Sequence, residues 1–559
     1  MPMTRMTGGQ ALVGQLIAEG IEDLFGVPGV QLDWAVDALR QRQDDIRYFV
    51  PRHEQTTSYM ADGYARSTGK IGTCMVVPGP GLLNAMAGLA TAYACNSPVL
   101  CISGNIHSSG VGKGAGLLHE VRNQTGILAS VTKWQGSAAS PAQVPGLVRE
   151  AVRQLRSGQP QPVGIEISHD VLSTEADIDL ITPPDDEDGR LRPDPAEIDA
   201  AAALLAAARS PVIYVGGGVL AAQAGPALQD LAERLGAPVV MGENGRGALS
   251  DRHELALNAL AGRAVFEHAD VVLVVGSRFV DTMLGKPAWP TSGRTKLVFL
   301  NTNPAVWAAP QAAAATVTAD AGLGMAALTR AVPRSNRTLP DLDRVRRWAE
   351  AQSAQIQPQG AWVGALRSAL RDDGILVNEL TQVGYFARLG YPVHRPGTFI
   401  NPGYQGTLGY GFPTSLGVAV GNPGKRVISI TGDGGFGWGM QELATARRYN
   451  LRVTVVVFHD GYFGNVRRMQ QEQFAHPFAD ALQNPDFALL AQAFDVRYAR
   501  ADTPDGLLAA LGPALDHDGP TLIEARVGEM PSPWHLLRLV PPPFAAGVAA
   551  PPNPLGVPA

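Results

Sequence analysis

The sequence predicts an α/β protein built of three doubly wound domains, on three observations. Short apolar runs rich in Val and Ile alternate with segments of helical periodicity along almost all 559 residues. Glycine, at 63 residues, clusters where such runs give way to helices, as strand-to-helix turns require. Two polar, Pro-containing stretches, 181–199 and 333–340, divide the alternation into three blocks. A chain this long exceeds a single hydrophobic core. The expected domains are 1–180, 196–335 and 356–540, followed by a flexible Pro-rich tail over 541–559.

Composition narrows the class. A hydrophobic content of 45%, a charged content of 17% and a net charge of −6 describe a globular chain and argue against nucleic acid as a partner. Cys74, Cys95 and Cys101 lie in apolar runs without metal-ligand spacing, which predicts reduced core thiols and a cytoplasmic location. The N-terminus passes directly into an amphipathic helix with no signal-peptide pattern. No apolar run is long enough to cross a bilayer, so no membrane partner is expected.

In the first block, Gln10 to Gly20 reads as a helix, Asp23 to Gly26 as a short strand and Val27 to Gly29 as its turn. Ile46 to Val50 leads into Arg52-His53-Glu54-Gln55 and a helix of small residues through Ala65. Gly72 to Val77 is a buried strand ending in Pro78-Gly79-Pro80-Gly81; an apolar helix, Leu82 to Cys95, and a strand, Pro98 to Ser103, follow. The second block has strands at Pro211 to Val215, Pro238 to Val240, Val271 to Val275 and Leu297 to Leu300. Its Gly216–Gly218 run resembles a nucleotide-binding turn but lacks the full Gly-x-Gly-x-x-Gly spacing, which favours a structural role.

The third block holds the most informative stretch. Val427 to Thr431 is a strand, Gly432-Asp433-Gly434-Gly435 a turn, Met440 to Tyr449 a helix, and Val453 to Phe458 a second strand ending in His459-Asp460-Gly461-Tyr462. Strand, helix, strand at this spacing predicts a parallel crossover. Neighbouring strand ends lie roughly 5 Å apart, so Asp433 and Asp460 open into one crevice. Two carboxylates beside glycine N–H groups and a helix N-terminus suit Mg²⁺ bridging to a diphosphate. An Asp that merely caps a helix produces the same pattern, and Glu54 has the same alternative in its own turn.

The segments RHEQTTSYMADGYARSTGK, PGPGLLNAMAGLATAYACNSPVLCISG, TLGYGFPTSLGVAV and GDGGFGWGMQELATARRYNLRVTVVVFHDGY together resemble thiamine-diphosphate-dependent enzymes of the acetolactate synthase type. The similarity runs in the same order over nearly the whole chain. It implies a pyrimidine-binding first domain, a central Rossmann-like domain and a diphosphate-binding third domain. Glu54 then matches the glutamate that hydrogen-bonds N1′ of the aminopyrimidine and favours the tautomer that takes the thiazolium C2 proton. Asp433 matches the Mg²⁺ ligand, with Gly432, Gly434 and Gly435 admitting the diphosphate. Where the family carries Asn-Asn, this chain has His459-Asp460. Asp460 still supplies an oxygen, and the main-chain carbonyl of Tyr462 completes the protein ligands. Gln382 matches a diphosphate contact, and Leu408 matches the apolar wedge under the cofactor, a role compatible with a core leucine.

His119 stands where acetolactate synthases carry a glutamine facing the reacting carbon. It is either a structural loop histidine or the group that protonates the enamine or guides the acceptor carbonyl. Met469 replaces the acceptor-pocket tryptophan, with Asn465 one turn earlier, and its flexible side chain changes the acceptor space. Gly276-Ser277-Arg278-Phe279 is similar to a flavin-contacting segment, but Leu257–Gly262 lacks the histidine expected of FAD binders, so the balance goes against FAD. The implied activity is decarboxylation of a pyruvate-like 2-oxo acid with ligation of the acyl carbanion to a second carbonyl. The alternatives are a non-ligating decarboxylase, a lyase acting on an acyloin or diketone, and a non-catalytic regulatory relative. The resemblance also implies a homodimer at minimum, and commonly a homotetramer.

Overall fold

The computed structural model describes residues 4–184, 189–281, 286–287, 294–306, 312–537 and 552–556. Apart from 552–556, the tail expected over 541–559 lies outside the described residues. The three blocks form three six-stranded parallel sheets. The chain divides into two compact units, one of Met1–Gly189, Tyr404–Pro423 and Gly439–Leu451, the other of Arg190–Gly403, Gly424–Trp438 and Arg452–Ala559.

In the first unit the strands lie in the spatial order Arg47–Phe49, Asp23–Gly26, Gly72–Val76, Val99–Asn105, Val163–Ser168, Trp134–Ala138. Numbered along the chain, that order is 2-1-3-4-6-5. Buried Leu24, Leu100, Ile102, Ile165 and Ile167 pack this sheet against Leu12 and Leu16 of the Gly8–Ala18 helix. Each such burial stabilises the fold by about 1.5–3 kcal/mol.

The Glu54–Thr68 helix is buried without interruption from Thr56 to Ala65, the polar Thr56, Thr57, Ser58 and Asp62 included. It runs three residues past the predicted Ala65 and stops at Gly69, whose φ of +74° is the left-handed termination glycine supplies. Its neighbour, the Gly411–Gly421 helix, approaches backbone to backbone: a Cβ on Gly417 would lie 1.9 Å from the Met60 carbonyl oxygen. Small residues therefore do here what branched apolar residues do in an ordinary core. The helix predicted over Met440 to Tyr449 is a 3₁₀ turn, Met440–Glu442, leading into an α-helix, Leu443–Arg448.

In the second unit the central sheet has the order 3-2-1-4-5-6, that of dinucleotide-binding folds. Its Gly216–Gly218 run serves packing: the N–H of Gly216 bonds Val275 O at 3.0 Å and that of Gly218 bonds Gly276 O at 3.0 Å. The other sheet runs Phe399–Ile400, Ile375–Asn378, Val427–Gly432, Val453–His459, Thr521–Arg526, Arg497–Ala501, again 2-1-3-4-6-5. The predicted crossover is present, with Gly432 opposite Phe458 in parallel register. Strand order reverses between Ile375–Asn378 and Val427–Gly432, and ligands of such sheets bind at the carboxyl ends beside that reversal. No helix among the described residues is long and apolar enough to cross a membrane.

Candidate active site

In the first unit, Glu54 opens its helix and is half-buried. Asn84 of the Pro80–Cys95 helix donates from Nδ2 to Glu54 Oε2 at 3.0 Å, and Thr57 Oγ1 donates to the Glu54 carbonyl at 2.6 Å. Oε1 has no hydrogen-bond partner among the described residues. His53 caps the helix, its Nδ1 accepting from Gln55 N at 3.2 Å.

His119 has a φ of +70°, an uncommon setting for a residue with a Cβ. Gly79 admits it, because a Cβ there would lie 2.3 Å from the His119 carbonyl oxygen. Gln31 holds it in place. Its Nε2 donates to Leu118 O at 3.3 Å, which turns Oε1 toward His119 Nδ1 at 3.1 Å. That orientation assigns the proton to Nδ1 and leaves Nε2 as an open acceptor.

Leu408 departs from the core-leucine expectation. It is 44% exposed, although Thr407 beside it is tied to Thr91 by a 2.9 Å hydroxyl contact. An anchored loop thus presents a large apolar side chain to solvent, as a wedge beneath a ligand requires.

In the second unit, Asp433 and Asp460 stand at the ends of adjacent strands. Asp433 Oδ2 accepts from Gly461 N at 2.9 Å and Asn484 Nδ2 at 2.6 Å, while Oδ1 accepts from Gly434 N at 3.1 Å. Asp460 Oδ1 accepts from Tyr462 N at 2.9 Å, and Oδ2 accepts from Gln382 Nε2 at 3.2 Å. Burial first, and then the charge of Asp460, holds the Asp433 carboxyl above its ordinary range; burial raises Asp460 as well. The glycines differ in what faces their α-carbons. A Cβ on Gly435 would meet Glu379 Oε1 at 1.9 Å, one on Gly434 would meet the Phe463 ring at 2.7 Å, and one on Gly432 would meet nothing closer than 3.6 Å.

His459 lies beside this pair. Its Nδ1 is 2.8 Å from Glu524 Oε1 and its Nε2 is 3.9 Å from Asp433 Oδ2. Burial works to raise the Glu524 carboxyl, but hydrogen bonds from Tyr498, His459 and Arg526 prevail and pull it down to about 2. Tyr462, 38% exposed, carries the Arg467 guanidinium 4.1 Å above its ring. Met469 is 43% exposed on the Gly464–Phe474 helix, which buries none of its residues. Asn465 Nδ2 lies 3.7 Å from Met469 Sδ, and Asn465 Oδ1 accepts from Trp534 Nε1 at 3.2 Å.

Family models match each block: the N-terminal thiamine pyrophosphate (TPP) binding domain over residues 6–127, the central domain over 198–328, and the C-terminal TPP binding domain over 381–525. A probable 2-ketoarginine decarboxylase of Pseudomonas aeruginosa is 35% identical, with 94% of this chain and 95% of the relative covered. The chain belongs to the thiamine pyrophosphate enzymes. A probable acetolactate synthase large subunit of Methanococcus aeolicus is 30% identical over 96% of this chain and 94% of its own. The acetolactate synthase isozyme 3 large subunit of Escherichia coli is 30% identical over 92% and 93%.

The residues at the sheet edge suit the magnesium that accompanies the diphosphate in a thiamine pyrophosphate enzyme. A buried Asp433 carboxylate whose proton affinity the half-buried Asp460 raises further is an arrangement a divalent cation relieves. A Cβ on Gly464 would lie 2.6 Å from Asp460 Oδ2 and 2.9 Å from Gln382 Nε2, so glycine keeps that space clear. Mg²⁺ takes one or two carboxylates and completes its shell with phosphate oxygens and water.

Sequence reasoning missed Asn84, Gln31, Asn484 and the Glu524–His459 pair. Only Asn84 had a local signal, one turn into the helix after the Pro-Gly-Pro-Gly turn; the others act across tens of residues.

Proposed function

We propose that this thiamine pyrophosphate enzyme decarboxylates a pyruvate-like 2-oxo acid and ligates the acyl group to a second carbonyl, giving an acyloin or acetolactate-type product. The observation that carries it is the half-buried Glu54, with one oxygen held by Asn84 and the other open, in a chain similar to acetolactate synthases over nearly its full length. Bound thiamine diphosphate supplies a nucleophilic carbon and an electron sink for the lost carboxylate. Glu54 Oε1 would hold a proton at the pyrimidine N1′ of the bound cofactor. Asp433, Asp460 and the Tyr462 carbonyl would hold Mg²⁺, Gln382 would steady the diphosphate side, and Leu408 would support the cofactor. His119 Nε2 handles a proton at the reacting carbonyl. Met469 and Asn465 bound the acceptor space. FAD stays the lesser reading, because the flavin-like Gly276–Phe279 segment is not accompanied by the histidine expected of FAD binders in Leu257–Gly262.

A second reading follows from the 35% identity to a probable 2-ketoarginine decarboxylase: release of the aldehyde without ligation, from a longer 2-oxo acid. The two separate in one experiment. Pyruvate, 2-ketoarginine and intermediate 2-oxo acids are supplied with and without an aldehyde or second 2-oxo acid, and products are identified by NMR. Ligated product from pyruvate is expected; free aldehyde alone from every donor overturns the ligase reading.

We propose the domain limits 1–180, 196–335 and 356–540, a cytoplasmic location, and a homodimer as the minimal assembly, extending to a homotetramer, in which Glu54 of one protomer serves the Asp433 crevice of its partner.

A further inference from the structure

Glu442 is fully buried in the first unit, at the end of the 3₁₀ turn Met440–Glu442. Its carboxylate faces the entry to the Glu54–Thr68 helix and meets donors only. Oε1 accepts from His53 N at 3.1 Å, Arg52 N at 3.2 Å and Thr56 Oγ1 at 3.0 Å. Oε2 accepts from Arg52 N at 3.0 Å and Thr445 Oγ1 at 2.5 Å. The same segment grips the chain just upstream: Tyr449 Oη accepts from Val50 N at 2.8 Å, and the Tyr449 ring lies 4.9 Å from that of Phe49. Bonds thus fall on 50, 52, 53 and 56, on both sides of Glu54, and none falls on its carboxylate.

A carboxylate excluded from water is costly unless its hydrogen bonds are made, and burial does push the Glu442 carboxyl up while Thr445, Arg52, Thr56 and His53 oppose that shift. The arrangement also does something specific. The Glu54 side chain leaves the first residue of its helix, so its reach is set by the path of residues 50–53, a connection without regular structure of its own. We propose that Glu442 is a positioning residue for Glu54, fixing the strand-to-helix connection so that Glu54 Oε1 meets the pyrimidine nitrogen. This rests on Glu54 being the proton-handling group of the proposed function. Glu442 touches neither cofactor nor substrate; it acts through the backbone of Arg52 and His53.

Reach is the property to test. Glu442→Asp keeps the charge but withdraws the oxygens by one methylene. Glu442→Gln keeps the length, presents an oxygen to Arg52, His53 and Thr56, and lets the Thr445 hydroxyl turn to accept. In the magnesium- and cofactor-loaded full chain, Glu442→Asp is expected to lower kcat about 10- to 100-fold, the scale of a slightly misplaced catalytic group. KM and the calorimetric Kd for thiamine diphosphate stay within about twofold, and Glu442→Gln recovers most of kcat. In a Glu54→Gln background the Glu442→Asp change is expected to have no further effect on the residual kcat. Wild-type kcat in folded Glu442→Asp, or a loss that multiplies with that of Glu54→Gln, overturns the proposal. If Glu442→Asp does not fold, Thr56→Val removes one donor: a severalfold kcat loss absent from the Glu54→Gln background supports the proposal, and an unchanged kcat overturns it. Wild-type turnover in Glu54→Gln alone instead overturns the reading on which this one rests.

Discussion

Glu54 is the residue at which chemistry and geometry meet. Its Oε2 is engaged by Asn84 and its Oε1 is open, so Glu54→Gln changes the acid without removing the anchor. That variant is expected to lose at least about 100-fold in kcat, the lower range of a general acid–base contribution, while calorimetry still records cofactor binding. Gln31 has the corresponding place beside His119. Gln31→Leu leaves Nδ1 unpaired and the ring free to turn, and kcat is expected to fall about tenfold with cofactor affinity unchanged. A wild-type rate in Gln31→Leu would show that His119 is a loop histidine only. Glu54 and Asp433 could be singled out as candidates because Arg52-His53-Glu54 and Gly432-Asp433-Gly434 are contiguous. The partners were not, since Gln31 and His119 stand 88 positions apart and Glu442 and His53 stand 389 apart, and such pairs leave no local periodicity.

At the scale of elements, apolar periodicity located strands such as Gly72–Val76, Val271–Val275 and Val453–His459, because parallel strands buried on both faces read as continuous Val and Ile runs, but it left Val163–Ser168, Ile375–Asn378 and Thr521–Arg526 unread. It misjudged helix limits where packing is done by small residues. The Glu54–Thr68 helix depends on the close approach at Gly417, so Gly417→Ala is expected to destabilise the fold by about 1–3 kcal/mol through overpacking, read as a lower urea midpoint. The end of the Thr521–Arg526 strand carries a pH-dependent contribution. The Glu524 carboxyl is held at about 2, below its ordinary 4.5, so its stabilisation is complete above pH 4.5 and is lost as pH falls toward 2. Glu524→Gln should therefore narrow the gap between unfolding free energies measured at pH 5 and pH 3. An unchanged gap would place the acid sensitivity elsewhere.

For the whole molecule, the division into three α/β blocks was legible from two linkers, whereas strand order was not, because pairing across a parallel sheet is set by crossovers that leave no mark in composition. If Glu54 and the Asp433 crevice meet across a homodimer, Glu54→Gln and Asp433→Asn chains should complement each other. A hybrid dimer then contains one site with both native residues and one with neither. Random association of equal amounts is expected to restore up to about a quarter of wild-type activity, measured after co-expression with light scattering to establish the assembly. No restoration would mean that both residues of a site come from one chain.

The first sheet and the Asp433-bearing sheet share the order 2-1-3-4-6-5, while the sheet between them follows 3-2-1-4-5-6. Along the chain, two modules of one strand order thus flank a module of another. Under the proposed function the first holds Glu54 and the last holds Asp433 and Asp460, so neither module alone would carry both the proton-handling group and the metal carboxylates.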